Sequence, residues 1–162
     1  MTSSEGKAAR VAAAAEIVSA VAVVVGLLFV GLELRRNTAA VEAATFQDLT
    51  DVSNTWIMTI ASDADLSRIL REGNERPDDL TAADRQRYSL IERAFWVRMQ
   101  NVYSQYVRGT LSAEDWSLYE AVMCAEGTGG PPAGRLAVWP QQRPVLSAAL
   151  IDLVEDCWRV AR

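Results

Sequence analysis

The sequence predicts an all-α protein: a long N-terminal transmembrane helix continuing into a small antiparallel helical bundle. Three observations carry this. Ile17–Leu32 passes without a charge, and counting from Val11 only Glu16 interrupts the apolar run. As a helix, Val11–Leu32 is ~33 Å long, enough for the hydrocarbon core of a bilayer. No Pro or Gly occurs between Leu32 and Gly73, so nothing ends that helix at the membrane edge. Beyond it, apolar residues recur at steps of three and four between capping residues, and no alternating strand pattern appears.

In chain order, residues 1–10 are polar and expected to be disordered, 11–34 form the transmembrane helix, and 35–162 form a helical soluble domain. A signal peptide is the rival reading of the N-terminus. The apolar run is longer than a signal core of roughly 7–15 residues. Glu33, Arg35 and Arg36 also follow it where a small-residue cleavage site would stand. An uncleaved anchor is therefore expected, flanked by Lys7 and Arg10 before the span and Arg35 and Arg36 after it. Glu16 lies in the first turns, where an interfacial position is tolerable. Gly26 and Gly31 are spaced wrongly for a GxxxG pair.

Past the membrane, Leu34, Thr38, Val41, Thr45, Leu49, Val52, Trp56 and Ile60 mark one helix face, so a single helix extends to about Ala61. Ser62 or Asp63 caps a short helix that Gly73 is expected to end. A loop with Pro77 leads to Thr81, an N-cap with Asp84 in the first turn. The buried stripe that follows is Tyr88, Ile91, Phe95, Met99, Val102 and Tyr106, ended by Gly109. Ser112 caps the next helix, with Gly127 after it. Residues 127–134 are a loop, Arg135–Gln142 one helical turn around Trp139. The last helix starts near Pro144 or Ser147, with Leu146, Leu150, Leu153, Val154, Cys157 and Trp158 largely on one side.

Several chemistries are excluded. The chain carries 16 basic and 21 acidic residues, a net charge of −5, which argues against nucleic-acid binding. It has no histidine, which removes Ser-His-Asp and Cys-His nucleophiles and most zinc sites. The pairs Asp63/Asp65, Asp78/Asp79 and Glu114/Asp115 fall at helix starts or in loops, where capping places acids. No catalytic residue, metal ligand or cofactor is predicted. Cys124 and Cys157 both fall in amphipathic helices, and the expectation is two buried free thiols, with a disulfide as the alternative. One polar row stands out: Asn101, Gln105 and Arg108 on one helix face. Its structural reading is amides hydrogen-bonded across a helix pair to Asn37–Thr45 or Asp48–Thr55. Its functional reading is a small-ligand or catalytic site.

Two stretches together resemble an uncharacterised family of small bacterial single-span membrane proteins. Glu16–Ala43 is similar to that family's opening, an apolar helix running into Gly-Leu-x-Ile-Arg-x-Asn-Thr-x-Ala. Gly31, Leu32, Arg35, Asn37, Thr38 and Ala40 fit, and Leu34 replaces Ile. Gln100–Trp116 resembles its Glu-Asn-x-Tyr-Tyr-Gln-Tyr…Gly-x-Leu…Glu-Trp segment, with Gln100 and Ser104 departing from it. The resemblance implies an N-terminal span and a helical domain, and no activity.

The function expected from all this is a membrane-anchored, non-enzymatic interaction or scaffolding module. Its partners would be the lipid bilayer and either another protein or a second copy. The alternatives are an accessory subunit of a membrane complex, or a small-ligand sensor or enzyme using Asn101, Gln105 and Arg108. Single-pass insertion in the cell membrane is expected. Arg35 and Arg36 near the span, and the free cysteines, favour a cytoplasmic domain.

Overall fold

The computed structural model describes residues 3–125 and 129–160, with side chains at residue 16 and from 18 onward. Every regular element among them is helical. Helix α1 runs unbroken from Ser3 to Ser62, through Leu32–Asn37. It also takes in Ser3–Arg10, expected to be disordered: adding a residue to a formed helix is far easier than starting one, and nothing between Lys7 and Ala15 breaks it. The chain divides into two units, Met1–Val41 and Glu42–Arg162.

The first unit is helix alone. All side chains from Val18 to Val41 are exposed. This part of α1 holds the one stretch among the described residues that is long and apolar enough to cross a membrane, by length and composition.

The second unit is a helical domain. After the end of α1 come α2 (Ala64–Glu75), a 3-10 turn (Pro77–Asp79), α3 (Ala82–Val107), α4 (Ala113–Cys124), α5 (Ala133–Gln142), a second 3-10 turn (Arg143–Val145) and α6 (Ala148–Val160). The capping residues do what their chemistry suggests. Asp63 accepts from the amides of Asp65 and Leu66, Thr81 from Asp84, and Ser112 from Asp115. Ser147 opens α6, accepting from the Leu150 amide at 3.4 Å.

Within α1, Leu49 and Ile60 are buried and Phe46, Ser53 and Trp56 half-buried. Thr45, Leu49, Trp56 and Ile60 lie on the packed face as expected, whereas Val52 is exposed and Ser53 is half-buried in its place. The hydroxyl can sit there because it donates to its own helix, to Leu49 O at 2.7 Å. Thr50, Thr55 and Thr59 turn back on the preceding turn in the same way. A hydroxyl so satisfied behaves as a small, nearly apolar group, which the apolar periodicity alone cannot reveal. Trp56 carries the Arg98 guanidinium of α3 over its ring at 5.1 Å. Ser67 closes the α1–α2 corner, donating to Ile60 O at 2.7 Å.

The main core gathers Leu49, Phe95, Trp96, Met99, Val102, Leu111, Trp116, Met123, Trp139, Leu150, Val154 and Trp158. A smaller cluster of Ile69, Leu80, Tyr88 and Val138 lies between α2, α3 and α5. Tyr106, expected in the buried stripe, is exposed and stacks on Trp116 with ring centroids 4.9 Å apart. Ile91 is half-buried, and Glu92 takes a fully buried place beside it.

Three further expectations change. Gly73 does not end α2 but lies buried inside it. A Cβ there would overlap the Tyr88 ring, and a Cβ at Gly134 would overlap the Gly73 carbonyl. Two bare backbones thus let α2 and α5 approach closely. Residues 133–142 form a full helix, started after Pro132; Pro140 lies inside it, in the last turn, where it removes one backbone donor and little helix follows to be disrupted. Cys124 and Cys157 form a disulfide joining α4 to α6, with Cα atoms 5.5 Å apart. Each cysteine lies on its helix's inward side as expected; that the two sides face each other is a tertiary fact. Gly127 lies outside the described residues.

Candidate functional site

The predicted polar row lies at the C-terminal end of α3. Asn101 and Arg108 are exposed and Gln105 is half-buried. Gln105 donates to Asn101 Oδ1 at 3.5 Å and accepts from the Thr110 hydroxyl at 2.6 Å, both local contacts. Among the described residues the row makes no hydrogen bond to Asn37–Thr45 or Asp48–Thr55. The reason is angular: Val102 and Met99 turn inward, so the row one residue away turns out. Arg35 and Arg36 are exposed just past the apolar stretch of α1; the side chains of Lys7 and Arg10 lie outside those described.

What the fold does assemble is a charged cluster where α2, α3 and α5 meet. The Glu92 side chain is 1% exposed and receives a bidentate Arg135 guanidinium, at 2.9 Å from Nε and 3.2 Å from the second nitrogen. Arg135 also lies 4.2 Å over the Phe95 ring. One turn before Glu92, Tyr88 donates to Asn74 Oδ1 at 2.8 Å. Burial pushes the Tyr88 phenol well above its usual range, and the neighbouring Glu92 carboxylate adds to the shift, while Arg135 opposes it. The Glu92–Arg135 pair and the Gly73–Gly134 contact fix the same helix junction.

Beside this junction a cleft of about 680 Å³ opens between the Pro77–Asp79 turn, α3 and α5. Its floor is apolar, with Leu80, Tyr88 and Val138 buried. Its polar wall is a stripe at four-residue spacing on α3: Arg85, Ser89 and Arg93. Arg85 donates to Leu80 O at 3.3 Å and Arg93 to Gln141 O at 2.6 Å. Ser89 donates to Gln141 Oε1 at 3.1 Å and accepts from the Gln142 amide at 3.3 Å. Gln142 is fully buried, and its Oε1 has no hydrogen-bond partner. Among the described residues Asp78 is the one carboxylate lining the cleft.

A second charge cluster lies on the surface between α2 and α3. Arg68 bridges Asp65, Glu72 and Asp84 at 2.7, 2.9 and 3.3 Å, and Arg87 reaches Asp65 at 2.7 Å. The hydrogen bond from Arg68 holds the Asp65 carboxyl below its ordinary value, helped by the charges of Arg68 and Arg87. Every acid here is accounted for by a cap or a guanidinium, and no group of three metal-ligating side chains occurs among the described residues.

No protein-family model, curated protein sequence or solved structure matches this chain.

Proposed function

We propose that the chain is a membrane-anchored helical module whose domain binds partners without covalent chemistry. The observation that supports this most is the exposure of the apolar half of α1. Leu27 and Val18 are 68% exposed and Phe29 65%. In water each such side chain forgoes ~1.5–3 kcal/mol of burial. A bilayer removes that penalty, and a helix satisfies its own backbone there. A non-enzymatic role is supported by the lack of histidine and by a polar row whose amides serve their own helix end. The partner we propose is a protein or a second copy.

The membrane is the cell membrane in this reading. The Cys124–Cys157 bridge favours the oxidising side for the domain, reversing the cytoplasmic orientation drawn from free thiols.

Fractionation tests the anchor. The full-length chain is expected in membranes and resistant to alkaline carbonate. A full-length chain in the soluble fraction overturns it, as does a mature N-terminus beyond Leu32, which marks a cleaved leader. Reporter fusions at Arg162 test the side: activity only in the cytosol overturns the orientation. Purification in mild detergent tests the binding role, with a stoichiometric partner or a dimer expected; a lone monomer counts against it.

A further inference from the structure

The strongest unexplained feature of the domain is the distribution of its arginines. Arg68, Arg71, Arg76, Arg87, Arg135, Arg143 and Arg159 each lie within ion-pair distance of a carboxylate. Among the described residues of the domain, four arginines have no carboxylate at that distance. Arg98 lies over the Trp56 and Phe95 rings, and Arg108 stands at the end of α3. The other two, Arg85 and Arg93, share one cleft and donate to the backbone carbonyls of Leu80 and Gln141. In a chain with five more negative than positive charges, two guanidiniums without a carboxylate on one wall of a cleft is an uneven placement. Both stand on the same face of α3, with Ser89 between them. Opposite lies the apolar floor of Leu80 and Val138. The cleft, at about 680 Å³, falls within the size of small-molecule sites.

We infer that this cleft is a binding site for a small organic oxyanion, with Arg85 and Arg93 holding the anionic head and Leu80 and Val138 receiving an apolar body. A guanidinium bonded to one carbonyl still has several N–H donors in a planar fork, which suits a carboxylate or phosphate head. Ser89 gives its one hydroxyl hydrogen to Gln141 Oε1, so it holds that side chain at the wall and leaves the anion to the two guanidiniums. The buried Gln142 amide fixes Ser89 from behind, so the wall is preorganised. Asp78 on the rim disfavours a second negative charge at that end of the ligand. The site lies at the opposite end of α3 from Asn101, Gln105 and Arg108, and it does not depend on the membrane anchor.

The test uses the full chain in a non-ionic detergent and three probes of one shape: benzoate, phenyl phosphate and neutral benzamide. Saturable binding of benzoate or of phenyl phosphate is expected, and the tighter of the two identifies the head group. Benzamide is expected to bind at least about tenfold more weakly, as is either anion to the R85Q/R93Q double variant, since each loses the charge-assisted hydrogen bonds. R85K/R93K should recover part of the affinity, and Ala137→Phe, which fills the cleft without touching a guanidinium, should abolish it. Neither anion binding, benzamide binding equally well, or unchanged affinity in both the R85Q/R93Q and Ala137→Phe proteins overturns the proposal.

Discussion

The same chemistry is used twice in this domain, in two different places. Glu92–Arg135 joins α3 to α5 with its side chains 1% and 12% exposed. Arg68 and its acids join α2 to α3 with Arg68 37% and Asp65 51% exposed. The surface group has more contacts, yet Asp65 and Arg87 in it stay about half exposed to water, where an ion pair contributes little. The buried pair has given up its water and depends on one bidentate geometry. Counting ion pairs therefore misjudges both regions: the single buried pair is the one whose halves cannot be separated.

The largest expected effect comes from separating them. Glu92→Ala leaves Arg135 buried beneath Phe95 without its carboxylate and should cost about 3–5 kcal/mol by calorimetry. The E92M/R135M double replacement should recover most of that loss. A double variant as unstable as Glu92→Ala would mean that α3 and α5 need the charges themselves. Next comes the covalent tie between α4 and α6. Its 33-residue separation predicts a loss of about 3–4 kcal/mol in C124S/C157S, under conditions where the wild-type bridge is intact by non-reducing mass mapping. Gly134→Ala approaches the buried junction from its backbone side. The added methyl meets the Gly73 carbonyl rather than a movable side chain, so a cost near the top of ~1–3 kcal/mol is expected.

Proton linkage gives a smaller, signed effect. The Tyr88 phenol is raised in the folded state, so its contribution is fully present below the unfolded value near 10. It is lost as pH rises from there toward the folded value. Tyr88→Phe should flatten that alkaline decline in melting temperature; an unchanged slope would remove Tyr88 as its source. The smallest effect belongs to the surface group. Arg68→Ala should leave the melting temperature nearly unchanged, and any difference should shrink in high salt. Asp65, depressed in the folded state, contributes above its unfolded value near 3.9 and loses this as pH falls below it, leaving a shallow acid limb.

Much of the fold was legible because it rests on local rules. The caps at Asp63, Thr81, Ser112 and Ser147, and the unbroken α1, follow from residues within one or two turns. Phe95, Met99 and Val102 follow from spacing alone. What escaped was set across the chain. Glu92 lies on the same three-and-four steps as Tyr88, Phe95 and Met99, so a signal was present. Only Arg135, 43 residues away, makes its burial tolerable. Gly73 reads as a helix stop until Gly134 is placed against it. Asn101 and Gln105 have the right types for a buried network but the wrong angle, and nothing in the sequence sets Arg85, Ser89 and Arg93 apart from a solvated helix face. The cleft arises because α5 arrives beside them.

Trp96, Trp139 and Trp158 bring a different consequence. Their ring centroids lie 4.7, 5.0 and 5.9 Å apart, close enough for their electronic transitions to couple. The near-ultraviolet dichroism of the protein should therefore be dominated by these three rings and vanish when their packing loosens. Far-ultraviolet dichroism will be governed by α1, whose 60 residues form the longest helix and include a stretch with no tertiary support to lose. A preparation can thus look fully helical while its domain is open, and only the tryptophan band will tell the two apart.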